Sequence, residues 1–296
     1  MEFRLTDIRL PTGTVHYQVA GDGPPLACFH DSGGSVITRA IEKLAETRTV
    51  LLPIVPGFDG TPYHRSVQQI RLVHSMPGLA NIMANFIEAT VGAPCDVMGQ
   101  SFGARLALWV AAQRADIIGR LIVQSPTGLR KDGRGGLGRD TGDIRTMLHA
   151  YPDRAPQSSR TKAELEVNRA VPSHYHQNVP FDQELVDRLR FIRSDTLILL
   201  GTEDRIVPTE VAYFLKAHIQ NAHMSYIYDA AHALDSDQPD RVARIVAAFL
   251  ERGPAFIVRQ PAAAAAGRAE SPQQGDDASG SAPDGSDQKG AGPAAS

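Results

Sequence analysis

One repeating alternation constrains this chain more than any other feature. Short apolar runs ("PPLACFH", "TVLLPIVPGF", "CDVMG", "RLIVQSP", "DTLILLG", "SYIYDA") each stop at a glycine, proline or polar cluster. Between them lie stretches with helical periodicity: "SVITRAIEKLAE", "GLANIMANFIEAT", "SFGARLALWVAAQR", "PTEVAYFLKAHIQ" and "PDRVARIVAAFLER". Strands alternating with helices imply βαβ units and a mostly parallel sheet. Runs that are continuously apolar fit strands covered on both faces. The first 22 residues differ, because "MEFRLTDIRL" and "TVHYQVAG" alternate apolar with polar residues and are joined by "PTG" as a turn. In open sheets of this kind the functional crevice lies beyond the carboxyl ends of the strands. Most of the glycine, polar and histidine punctuation falls there.

Two segments break the rhythm. Residues 127–194 are too many for one crossover helix. They hold the glycine-rich, basic "GLRKDGRGGLGRDTG" and helix-like pieces such as "DIRTMLHAY" and "DQELVDRLRF". They read as a cap inserted into a core formed by residues 1–126 and 195–254. The remainder, 255–296, reads as a disordered tail: after Val258 it has no Val, Ile, Leu, Phe, Met, Trp or Tyr. Such a composition cannot bury enough apolar surface to offset its ordering entropy. A solvated tail is the simpler reading; a partner-binding tail is the alternative.

Bulk properties exclude several classes. A 296-residue chain that is 42% hydrophobic can bury a large core. A net charge of −3 and a pI near 6.4 give no basic surface for nucleic acid or an anionic membrane. No apolar run reaches the roughly 18 residues a membrane span needs. The amino-terminal segment lacks the basic-then-apolar order of a secretory signal, so a cytoplasmic location is the expectation. Cys28 and Cys95 both sit inside apolar runs and read as small buried hydrophobes. The pattern says nothing of oligomeric state.

The chemistry centres on "MGQSFGARLALWV". A serine hydroxyl is a poor nucleophile at neutral pH; it needs a base and donors for the oxyanion it creates. Gly99-Gln100-Ser101-Phe102-Gly103 matches G-x-S-x-G, in which the serine sits on a strained strand-to-helix turn. A buried serine in a tight turn is the alternative. Its partners should follow as acid, then histidine. "DTLILLG" runs into "TEDRIVP", with Asp204 as the acid and Glu203 as the fallback. "SYIYDA" runs into "AHALDSDQPD", with His232 as the base. For the oxyanion hole, the turn in "CFHDSGGS" offers the Ser32 N–H beside that of Phe102, with His30 and Gly33 supporting the loop. His174 and His176 in "PSHYHQN", spaced as on one strand face, read as cap residues facing substrate. His64 reads as a surface or loop histidine.

The chain resembles the α/β-hydrolase family over roughly residues 1–252. The motifs are "FHDSGGS", "PGFDGTP", "MGQSFGARLAL", "LLGTEDRIVP" and "AAHALDSDQPDRVARIVAAFL". The resemblance implies a mostly parallel sheet flanked by helices with a short cap. It also implies a Ser101–His232–Asp204 triad acting through an acyl-enzyme, with no metal or organic cofactor. Three positions depart from the usual pattern: Asp31 where glycine follows the oxyanion-loop histidine, Ile54 where aspartate is common, and Ala104 for a further glycine. A serine nucleophile disfavours the haloalkane dehalogenase branch, which uses aspartate. The expected substrate is a small carboxylic ester or lactone. The alternatives are a C–C bond between carbonyl carbons, or a receptor-like protein with little turnover.

Overall fold

The computed structural model describes residues 2–65, 74–92, 94–130, 143–155, 157–176 and 181–257. Eight strands form one sheet: β1 (Arg4–Leu10), β2 (Gly13–Ala20), β3 (Pro25–Phe29), β4 (Thr49–Pro53), β5 (Cys95–Gln100), β6 (Ile118–Gln124), β7 (Asp195–Gly201) and β8 (Ala222–Ile227). Their order is β1-β2-β4-β3-β5-β6-β7-β8. β2 runs antiparallel to both neighbours, and β3 to β8 are parallel. The mostly parallel sheet expected from the alternation is therefore present.

The continuous apolar runs have a direct explanation. Along β3, Leu26 and Cys28 join one core while Ala27 and Phe29 join the other; along β7, Leu197 and Leu199 separate from Ile198 and Leu200 in the same way. One face is covered by α2 (Met76–Thr90), α3 (Phe102–Gln113) and α7 (Thr209–His218). The other is covered by α1 (Arg39–Leu44), α8 (Leu234–Asp237) and α9 (Pro239–Arg252). With both faces sealed, alternate residues along a strand must all be apolar. Both cysteines are buried within this sheet, and burial pushes the Cys95 thiol up to about 12.

The chain leaves β3 for β4 on one side and returns to β5 on the other, so the winding reverses between β3 and β5. A crevice opens at such a reversal. The loop after β3 carries His30 to Ser35, and the turn after β5 carries Ser101. Between β6 and β7 the chain builds α4 (Ile144–Leu148), α5 (Lys162–His176) and α6 (Gln183–Arg188), here called the cap.

Three readings need correction or placement. "PSHYH" lies in α5, not on a strand. Val171 and Tyr175 are buried against the main core, and that packing outweighs the hydrogen bond lost at Pro172. The composition predicts a disordered tail from residue 255, but Gly253–Ile257 forms a 3₁₀ turn and Phe256 packs edge-on to Phe249 at 5.4 Å. The rest of the tail, and residues 131–142 of the basic loop, lie outside the described residues. His64 is buried between Thr12 Oγ1 at 2.9 Å and the Thr14 carbonyl at 3.1 Å, not at the surface.

Candidate active site

Ser101 occupies the turn between β5 and α3 with φ 54° and ψ −111°. A non-glycine residue in that region is strained by about 1–3 kcal/mol. The surroundings hold it: its N–H donates to the Gln124 carbonyl at 2.8 Å, and its carbonyl accepts from Arg105 N at 3.1 Å. The flanking glycines are required by contact. A Cβ on Gly99 would lie 2.2 Å from the Gly103 carbonyl oxygen, and one on Gly103 would lie 2.2 Å from that of Phe29. The G-x-S-x-G spacing thus packs the start of α3 directly onto β3.

The structure brings the expected side chains together. His232 Nε2 lies 2.8 Å from Ser101 Oγ, and its Nδ1 lies 3.1 Å from Asp204 Oδ2. Asp204 Oδ1 accepts from the Ile206 and Val207 N–H groups at 2.8 and 2.9 Å. Burial alone would raise the Asp204 pKa, but the His232 charge and hydrogen bond, with the backbone donors, hold it below the ordinary value. Glu203, its neighbour, is exposed, and no hydrogen bond or ion pair joins its side chain to His232 among the described residues. Ser101 and His232 are both buried.

The Asp31 carboxylate turns back on its own loop, where Oδ1 accepts from Gly33 N at 2.7 Å. His30 lies beneath: its Nε2 accepts from Val55 N at 3.1 Å, so its Nδ1–H donates to the Asp31 carbonyl at 2.7 Å. Burial lowers the His30 pKa and keeps the ring neutral, as this tautomer requires. The N–H groups of Ser32 and Phe102 have no hydrogen-bond partner among the described residues.

The cap touches this site at several points that sequence reasoning missed. Asp182 accepts from Arg105 Nε and Trp109 Nε1, each at 2.8 Å, tying the start of α6 to α3. Asp237 accepts from Ala231 N and Ala150 N, each at 2.9 Å, and contacts His149 Nδ1 at 2.8 Å, joining the His232 loop to the cap. Asn168 joins the cap to the oxyanion loop. Side chains two positions apart on a helix point to opposite sides. His174 accordingly meets His74 at 2.7 Å, while the His176 ring lies 5.6 Å from that of Phe102. Burial lowers the His176 pKa to about 3, leaving a neutral imidazole whose Nε2 is buried with no partner among the described residues.

Among the described residues, no three His, Cys, Asp or Glu side chains converge as a metal-binding group. Nor is any described helix long and apolar enough to cross a membrane. The model of the alpha/beta hydrolase family matches residues 26–245. The chain belongs to that family.

Among curated relatives, this hydrolase is 25% identical over 260 residues to the 2-hydroxymuconate semialdehyde hydrolase of Pseudomonas putida, covering 80% of this chain and 90% of the relative. It is 24% identical over 253 residues to the 2-hydroxy-6-oxo-2,4-heptadienoate hydrolase of Pseudomonas putida strain F1, covering 78% and 90%. Among solved structures, 2-hydroxy-6-oxo-6-phenylhexa-2,4-dienoate hydrolase from Rhodococcus sp. strain RHA1 superposes with a TM-score of 0.66. The identity is 18%, with 84% of this chain and 100% of the other covered. At that identity the likeness speaks for the fold.

Proposed function

We propose that the chain is a serine hydrolase of small carbonyl substrates, working through Ser101, His232 and Asp204. The observation that carries this is the 2.8 Å contact between His232 Nε2 and Ser101 Oγ, with Asp204 on the far side of the ring. His232 takes the Ser101 proton as Oγ attacks the carbonyl. The Ser32 and Phe102 N–H groups receive the oxyanion, and Asp204 fixes the tautomer and balances the imidazolium. Collapse of the tetrahedral adduct expels the leaving group with the proton from His232. Water, deprotonated by His232, then releases the acid and regenerates Ser101. His30 and Gly33 support the oxyanion loop. No step needs a metal or organic cofactor.

Two bond types suit this machinery. A carboxylic ester or lactone asks least of the general acid, because its leaving group is already activated. The second reading is a C–C bond in a 2-hydroxy-6-oxodienoate, and the names of the curated relatives favour it. A 2-hydroxymuconate semialdehyde has no ester or amide bond, so water can divide it only between carbons. The His176 Nε2, without a partner among the described residues, would offer such a substrate a neutral polar contact.

Intact-mass labelling with a fluorophosphonate tests the nucleophile without choosing a substrate. One adduct on wild type and none on a folded Ser101→Ala variant is expected; equal labelling of both would overturn the assignment. Turnover of 2-hydroxymuconate semialdehyde against p-nitrophenyl butyrate then separates the bond types.

A further inference from the structure

The cap does more than cover the crevice. Asn168, on α5, is 2% exposed and makes three hydrogen bonds, each 2.8 Å long. Its Nδ2 donates to the Gly33 carbonyl and to Asp59 Oδ1, and its Oδ1 accepts from Asp59 N. The partners fix the amide's orientation, since a flip would set its oxygen against a carbonyl and a carboxylate.

Asp59 passes the grip onward. Its Oδ2 accepts from Ser35 N at 2.8 Å. Arg160, also from the cap, donates Nε to Asp59 Oδ1 at 2.9 Å, and its Nη2 reaches Asp59 Oδ2 at 3.0 Å and the Ser35 carbonyl at 2.6 Å. Asp59 sits at φ 50°, a strained value for a non-glycine residue that persists only where its surroundings over-determine it. Gly34, at φ +99°, lies so close that a Cβ there would come within 2.4 Å of both Asn168 Nδ2 and Asp59 Oδ1.

Ser32 lies inside this grip. Gly33 and Ser35 are held from the cap by Asn168 and Arg160, while Asp31 is held from the core side by His30. We propose that Asn168 is a positioning residue for the oxyanion hole: with Asp59 and Arg160 it sets the conformation of residues 31–35 and thereby aims the Ser32 N–H at the developing charge. This rests on the reading of Ser101 as nucleophile and Ser32 as donor. Asp31 stands where glycine is usual. Its carboxylate is taken up by Gly33 N, and the outer clamp keeps the loop in that turn. The lowered Asp59 pKa is consistent: burial raises it, but the Asn168, Ser35 and Arg160 hydrogen bonds outweigh that.

The test uses Asn168→Ala and Arg160→Gln in the full chain, with p-nitrophenyl butyrate, a fluorophosphonate and a trifluoromethyl ketone. The last two place an oxygen where the oxyanion forms. For Asn168→Ala, kcat, the inactivation rate and the ketone affinity should fall together by about 10- to 100-fold, less than outright loss of one donor. KM should hold within about threefold, because ground-state binding is not addressed. Arg160→Gln should show the same pattern more weakly, and the double variant should lose less than the product of the single effects. A folded Asn168→Ala with unchanged ketone affinity, or a loss confined to KM, would overturn the proposal. If Asn168→Ala does not fold, Arg160→Gln decides on the same criteria. Wild type that takes no fluorophosphonate would instead refute the nucleophile, a separate failure.

Discussion

Two buried aspartates behave in opposite ways. Asp204, after β7, and Asp235, in α8, are both withdrawn from water. Asp204 has two backbone donors and the imidazole, and stays ionised below the ordinary carboxylate range. Asp235 is reached by Thr38 Oγ1 only at 3.4 Å, and its Oδ1 has no well-formed hydrogen bond among the described residues. It lines a cavity of about 120 Å³ behind the oxyanion loop, beside Asp31 and Gln124. Burial raises its pKa to about 6, the Asp31 charge adds to this, and Gln124 and Thr38 only partly offset it. Burial is common to the pair; the supply of donors decides which way each pKa moves.

The largest expected effect comes from breaking the first member. Asp204→Asn should lower kcat by about 10³- to 10⁴-fold, because the amide favours the wrong histidine tautomer. A comparable loss from Asp235→Asn, measured by the same turnover assay, would end the distinction. Asp235→Asn should instead act on stability. Its folded pKa lies above the unfolded value, so its stabilising contribution is full below about pH 4 and is lost as pH rises through about 6. A shift from 3.8 to about 6 corresponds to about 3 kcal/mol. The variant should therefore melt about 5–10 °C above wild type at pH 8, converging with it near pH 4. Thermal scans at the two pH values check this. Asp204 has the opposite sign: its lowered pKa supports the fold above the ordinary carboxylate range, and that support is lost on acidification. Exposed Glu203 should matter least, with Glu203→Gln keeping turnover within about twofold; a larger loss would move the acid's role to Glu203.

The same contrast runs through what was legible. Ser101, Asp204 and His232 could be picked out because each follows a strand-like run and carries its own local signal. Asp204 is the acid the sequence prefers, with Glu203 as the fallback because adjacent residues share a turn; in the fold it is Asp204 that faces the histidine. Asn168 gave no signal. A lone asparagine on a charged helix reads as solvated, and its role comes entirely from what α5 is packed against. Asp31 was legible as a departure, but its direction was not, because the Gly33 N–H that receives its carboxylate becomes a partner only in the folded turn.

By itself the sequence determined the sheet, the order of its elements and the chemical types at the strand ends. These follow from short-range periodicity and from glycines whose missing Cβ permits one close approach. The tertiary structure alone decided how the Asp204 carboxylate is held, where the Asp31 charge goes, and that cap residues grip the oxyanion loop. The contacts of Asn168 and Arg160 join residues more than a hundred positions apart, and no local pattern encodes a distance that only packing closes.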